Sequence, residues 1–361
     1  MLLSVLLPTN RSSLTAISRV AQVCSWAGPD VEVIVRDNSG NAEKRDLISR
    51  FQGDNCHIVT ADPCEPLENL SELLRLAKAD FIFCPADDDF SFDRAIKGMS
   101  ELLGQCGNDP SVVGVTGHYV VETSYGSSIA SYNGLDSDDV AARVTGYLNY
   151  GGPNVILYSA LRREVILRTM EYFNSLPFFF SFHDQIQSLL FLLEGKFLKI
   201  ERLLYCYDVG VWEANATAED RDIAYYRAAG LDPVVNTIHW LLCAFEGAVL
   251  VRNSAMFPDH PLAQRQAIAD RWFAAKFAAF VRGGRSVYGS EFEEGAERIR
   301  QRLLASTGQL SFQGLLGEIC NLFALSSMDK AKRYYEFWDA QINRPQAAAP
   351  AAARPAASGA A

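Results

Sequence analysis

Over the first two hundred residues, short apolar runs alternate with longer stretches in which apolar residues recur every three to four positions. Leu2 to Leu7 is a strand-length apolar run closed by Pro8, and Thr9-Asn10-Arg11-Ser12-Ser13 follows as a turn rich in helix-capping residues. Leu14, Ile17, Val20, Ala21 and Cys24 then share one helical face. Val31 to Val35 is a second strand running into the polar turn Arg36-Asp37-Asn38-Ser39-Gly40, and His57 to Thr60 a third. Leu67, Leu70, Leu73, Leu74 and Ala77 return to helical spacing before a fourth strand at Phe81 to Cys84. This alternation predicts an α/β fold, a mostly parallel sheet flanked by helices. In such sheets ligands sit beyond the carboxyl ends of the strands, where Thr9, Asp37 and Asp87-Asp88-Asp89 all fall.

The Asp triplet directly follows an apolar run. Three adjacent carboxylates raise one another's pKa unless a cation shares them, and oxygen donors of this kind suit Mg2+ or Mn2+. A solvated acidic turn capping the next helix is the other reading of the same residues.

A second constellation lies about a hundred residues further on. Gly151-Gly152-Pro153-Asn154 precedes a strand-like run, Val155 to Tyr158, and then Arg162-Arg163-Glu164 and an apolar helix. Phe178 to Phe182 leads into His183-Asp184-Gln185 and a leucine-rich helix that stops at Gly195. By itself Asp184 reads as an ordinary helix N-cap, and His183 as a structural histidine.

The order Pro8-Thr9-Asn10-Arg11, Asp37-Asn38-Ser39, Asn69 ahead of a leucine-rich helix, and a strand into Asp87-Asp88-Asp89 resembles the family-2 glycosyltransferases. These have the nucleotide-diphospho-sugar-binding fold called GT-A, and the resemblance covers roughly residues 1–215. It implies donor-nucleotide contacts from Pro8, Thr9, Arg11, Asp37, Asn69 and Asp87, with Asp37 accepting an N–H of a uracil or similar ring. It implies a divalent metal, Mn2+ or Mg2+, on Asp88, with Asp89 as a second ligand or a cap. It places Asp184 as the general base on the acceptor hydroxyl, its pKa lifted by burial behind the aromatic run. Asn154, His183 and Trp212 become acceptor-side candidates, Trp212 either stacking on a sugar or packing between domains. Two departures stand out. Many relatives carry two acids where this chain has Arg36-Asp37, and the Gly common in the lead-in to the fourth strand is replaced by Ala79-Asp80, which reads as a surface change.

Composition narrows the field. The 361 residues carry a net charge of −10, with 19 Lys or Arg against 33 Asp or Glu in residues 1–250 and 14 against 10 in residues 251–361. An acidic cleft domain is a poor nucleic-acid surface. Eight scattered cysteines without CxxC spacing fit reduced thiols better than a disulfide framework or zinc site. Met1 to Leu7 lacks a basic leader, and Ile238 to Val251, broken by Glu246-Gly247, is too short to span a membrane. The expected location is therefore cytoplasmic, with any membrane contact peripheral at the inner face.

From about Pro233 the periodicity is helical, as in Thr237 to Leu242, Arg271 to Arg282 and Ser290 to Ala305. Basic residues here either meet an anionic lipid or carrier surface or form solvated faces or a homodimer interface. The expected organisation is a GT-A domain over 1–232, a helical C-terminal region over 233–342 and a disordered Ala/Pro-rich tail over 343–361.

The resemblance implies an inverting, metal-dependent transferase. It would move a sugar from a nucleotide-diphosphate donor, a UDP-sugar, to a hydroxyl on a glycan, lipid-linked or protein acceptor, in bacterial-type surface glycan or glycoconjugate synthesis. A catalytically degenerate nucleotide- or glycan-binding protein is the alternative. A sugar nucleotidyltransferase is disfavoured, because Pro8 to Ser13 lacks a Gly-rich loop.

Overall fold

The computed structural model describes residues 1–344 except 65, 209–215, 254–259, 284–289 and 306–310. The chain divides into two compact units, Met1–Ser175 with Asp184–Arg221, and Leu176–His183 with Asp222 onward. Relative to a boundary read at residue 232, the break lies earlier, and a short segment before Asp184 groups with the second unit. Residues 345–361 of the expected tail lie outside the described residues.

The first unit is built on a nine-stranded sheet. Its strands are β1 (Leu3–Thr9), β2 (Val31–Asp37), β3 (Cys56–Thr60), β4 (Phe81–Phe83), β5 (Phe90–Ser91), β6 (Val112–Thr123), β7 (Gly126–Ala130), β8 (Ala160–Arg162) and β9 (Lys196–Asp208). They lie in the order β3-β2-β1-β4-β8-β6-β9-β5, with β7 paired to β6. The run β3-β2-β1-β4 is wholly parallel, whereas β8 is antiparallel to both of its neighbours. Leu3, Val5, Leu6 and Leu7 of β1 and Val33, Ile34 and Val35 of β2 are all but fully buried. Near-continuous apolar runs are what strands covered on both faces require. Connections leave β1 toward β2 on one side and reach β4 on the other, so the β1/β4 crevice is the switch point where such sheets bind ligands.

The helices of this unit are α1 (Leu14–Cys24), α2 (Ala42–Ser49), α3 (Pro66–Leu76), α4 (Asp93–Cys106), α5 (Val140–Tyr150), α6 (Arg163–Ser175) and α7 (His183–Glu194). Local chemistry starts them: the Ser13 hydroxyl accepts from Ala16 N–H, and the Asn41 side chain accepts from Lys44 N–H. Gly151, at φ +66°, ends α5 in the left-handed conformation that glycine adopts without strain.

Three expectations need correction. Ile156–Tyr158 is a single 3-10 turn, and the strand begins only at Ala160. The turn is closed by Ser159 N–H on the Ile156 carbonyl. Asn69 lies inside α3, not ahead of it. Ala79 is buried, with its N–H directed at the Ser4 hydroxyl and the Glu32 carboxylate, so the replacement of glycine there is no surface change.

In the second unit, helix α8 (Ala216–Ala228) crosses the boundary and is followed by a 3-10 turn, Pro233–Ile238. Helices α9 (His239–Asn253), α10 (Leu262–Arg282), α11 (Glu291–Ala305), α12 (Phe312–Ser326) and α13 (Met328–Ile342) complete it. Every residue of α9 from Leu241 to Val251 is buried. Pro233–Asn253 is in fact long and apolar enough to cross a membrane, contrary to the shorter reading, but 78% of its most apolar window is buried inside the protein. Arg265 and Arg300 are buried as well, Arg300 lying over the Phe280 ring, so part of the basic character of this region is spent internally.

Gly247 is the point where α9 admits Trp272 of α10. A methyl group at 247 would collide with the indole, which is fixed by a 2.9 Å bond from Nε1 to the Cys243 carbonyl. Gly247→Ala is therefore expected to lower stability by about 1–3 kcal/mol through overpacking, read as a lower denaturation midpoint. All eight cysteines are thiols and not disulfides.

Candidate active site

The carboxyl ends of β1, β2 and β4 are joined by one buried polar network. Thr9, the last residue of β1, donates from its hydroxyl to Asp87 Oδ2 at 2.6 Å. Lys44 of α2 reaches the same hydroxyl at 2.8 Å and pairs with Asp37 Oδ1, at the end of β2, at 2.8 Å. Lys44, Asp37 and Thr9 are each 1% exposed or less. A buried carboxylate needs a partner of this kind. Asp37 Oδ1 also accepts from Ser39 N–H, while Oδ2 is buried and finds no hydrogen-bond partner among the described residues. Pro8, half-buried within β1, pairs in register with Arg36.

The three aspartates of the triplet turn to different partners. Asp87 is buried and bonded to Thr9 and Arg11. Asp88 is 47% exposed and meets the other Arg11 nitrogen, Nη2, at 2.8 Å. Asp89 accepts from the Tyr205 hydroxyl at 3.0 Å, and that hydroxyl accepts from Ala86 N–H. Burial, with a smaller contribution from Asp88, lifts the Asp89 carboxyl to about 6. Among the described residues no group of three or more His, Cys, Asp or Glu side chains is arranged to hold a metal ion. One exposed carboxylate beside the β1/β4 crevice fits a cation that would draw most of its ligands from a diphosphate and water.

Beside Asp37, Arg36 Nη1 donates to Asn69 Oδ1 at 2.6 Å, Asn69 Nδ2 donates to Asn38 Oδ1 at 2.9 Å, and Asn38 Nδ2 donates to the Cys64 carbonyl at 3.0 Å. Arg36, Asp62, Pro63, Cys64 and Glu68 line an open cleft of about 620 Å³.

Asp184 lies in the first turn of α7 and is half-buried. Asn154 donates to its Oδ2 at 3.2 Å, and Asn154 is itself held through Oδ1 by Tyr147 at 3.1 Å and Ser188 at 3.0 Å. Asn154, read from the sequence as acceptor-side, is thus a partner of Asp184. In the aromatic run before Asp184, Phe178 stacks on Tyr334, and Phe180 meets Tyr226. His183 is 1% exposed and bonded to Glu246. Trp212 lies outside the described residues.

Lys44 and Tyr205 were not singled out by sequence reasoning. For Lys44 the signal was spacing: with Ile48 it forms the buried i, i+4 face of α2, where a lysine requires a buried anion. Tyr205 sits in a strand-forming run without a distinguishing mark.

No protein-family model and no curated protein matches the sequence. Among solved structures, the chain is similar to residues 1–349 of TarS from S. aureus, a GT-A-type glycosyltransferase, with a TM-score of 0.52 and 13% identity over 95% of this chain and 90% of that one. The same fragment in complex with UDP-GlcNAc gives a TM-score of 0.50 at 12% identity, with the same coverage. Against a longer TarS chain the match covers 94% of this chain and 55% of that one, at a TM-score of 0.52 and 13% identity. The mixed sheet, its flanking helices and this likeness define the fold as GT-A, with a helical C-terminal region.

Proposed function

We propose that the chain is a glycosyltransferase that moves a sugar from a nucleotide-diphosphate donor to an acceptor hydroxyl with inversion. The observation that carries this reading is the network at the GT-A switch point, in which the ends of β1, β2 and β4 present Thr9, Asp37 and Asp87 together. The unpartnered Asp37 Oδ2 suits a ring N–H such as that of uracil, since a buried acceptor is costly until paired. UDP is favoured also because the TarS fragment of the same fold was solved with UDP-GlcNAc.

In this reading Asp87 orients the ribose, and Arg11, half-exposed, turns from Asp88 toward the diphosphate when the donor enters. Asp88 would hold a divalent cation, Mn2+ or Mg2+, which when bound offsets charge on the departing diphosphate. Asp184, oriented through Oδ2 by Asn154, takes the acceptor proton as the hydroxyl oxygen bonds to the anomeric carbon and the bond to the diphosphate breaks. One in-line displacement inverts the configuration.

Calorimetry of UDP with Mn2+ and with EDTA tests the donor site. Affinity is expected to fall by at least about tenfold in EDTA, and Asp88→Ala to remove that difference; equal affinity in both buffers overturns the metal assignment.

A further inference from the structure

The eight residues before Asp184 are anchored in the helical unit. Phe178 stacks on Tyr334 with rings 7° from parallel, Phe180 packs on Tyr226, and Phe182 meets the edge of His239. Ser181 donates to Asp222. The segment ends at His183, whose Nδ1 accepts from Phe180 N–H at 2.8 Å. The ring proton therefore sits on Nε2, which donates to Glu246 Oε2 at 2.8 Å. Glu246 Oε1 accepts from the Tyr334 hydroxyl at 2.8 Å. His183, Glu246 and Tyr334 are each 2% exposed or less, and Glu246 is the one acidic residue in the buried stretch of α9.

A carboxylate in the middle of an apolar helix is a poor choice for stability alone, because a well-packed apolar side chain serves as well or better. A carboxylate with both oxygens bonded instead fixes two groups in direction as well as distance. One of them is His183, the first residue of α7, joined to Asp184 by a planar peptide bond. We propose that Glu246 and His183 are positioning residues for Asp184, the buried Glu246–His183 pair fixing the start of α7 so that the Asp184 carboxylate faces the acceptor oxygen. This rests on Asp184 being the base. Asn154 holds the carboxylate from its side chain, and His183 holds it from the backbone.

The test compares the full-length wild type with D184N, H183N, E246Q, E246M and H183N/E246M. Each is followed by thermal denaturation, by UDP calorimetry with Mn2+, and by steady-state release of nucleotide diphosphate from whichever UDP- or GDP-sugar the wild type turns over fastest. Asn at 183 keeps an acceptor for Phe180 N–H and loses the donor to Glu246. Gln at 246 can accept from His183 and donate to Tyr334, whereas Met can do neither. H183N and E246M are expected to lower kcat by about 10- to 100-fold with donor KM and UDP affinity within about twofold of wild type, as misplacement of a base requires. E246Q is expected to keep kcat within about threefold, and H183N/E246M to be no slower than the slower single variant. Folded H183N with wild-type kcat, or losses that add in the double variant, overturns the proposal. If E246M does not fold, H183N against E246Q still decides. An inactive D184N beside an active H183N refutes the positioning role alone, whereas a fully active D184N refutes the base and the positioning role with it.

Discussion

Replacing Asp184 by Asn is expected to lower sugar transfer by about a hundred- to ten-thousand-fold, the usual contribution of a general base, while UDP affinity and melting temperature stay at wild-type values. The substitution keeps the shape of the side chain and the oxygen that accepts from Asn154. Only the ability to take a proton is lost. A purely structural Asp184 predicts the opposite, a fully active variant. Rates of nucleotide diphosphate release with donor and acceptor saturating separate the two.

Removing the Lys44 ammonium is expected to cost the most stability. Lys44→Met leaves Asp37 buried with no cation and deprives the Thr9 hydroxyl of a donor. Breaking a buried pair from one side typically costs about 3–5 kcal/mol, so the denaturant midpoint should fall sharply. K44M/D37N, which removes the stranded charge, should recover much of that loss while UDP binding stays impaired, because a neutral amide then faces the base where a carboxylate stood. Equilibrium unfolding and UDP calorimetry on the same set read both effects. Equal stability of K44M and wild type would remove Lys44 from the network.

The strands that build the switch point were legible because a doubly covered strand is apolar along its whole length, and β1, β2 and β4 are short apolar runs ending in polar turns. Their ends were therefore fixed by sequence, and Thr9, Asp37 and Asp87 are indeed drawn together there. What joins them was not legible: Lys44 acts across 35 residues from Thr9, and no local pattern reports such a reach. The same limit hid the partner of His183. Glu246 looked like an interruption in an apolar stretch, whereas its charge is placed there for a histidine 63 residues earlier. Val155 to Tyr158 misled for a different reason, since a short apolar run is equally compatible with a strand and with a tight helical turn. The rings of Phe178, Phe180 and Phe182 pack on Tyr334, Tyr226 and His239, partners far along the chain that no local pattern reports.

Cleavage of nucleotide sugars by the full chain tests the central claim most directly. Purified protein with Mn2+ is incubated with a panel of UDP- and GDP-sugars, and the products are separated by mass. The account predicts nucleotide diphosphate and free or transferred sugar from at least one donor, lost in Asp88→Ala together with metal-dependent binding and lost in Asp184→Asn with binding intact. A nucleotidyltransferase would instead release pyrophosphate from a nucleoside triphosphate and a sugar 1-phosphate. Tight, metal-dependent UDP binding without cleavage of any donor, with or without added glycan acceptors, would contradict the account and leave a nucleotide-binding protein on a transferase fold.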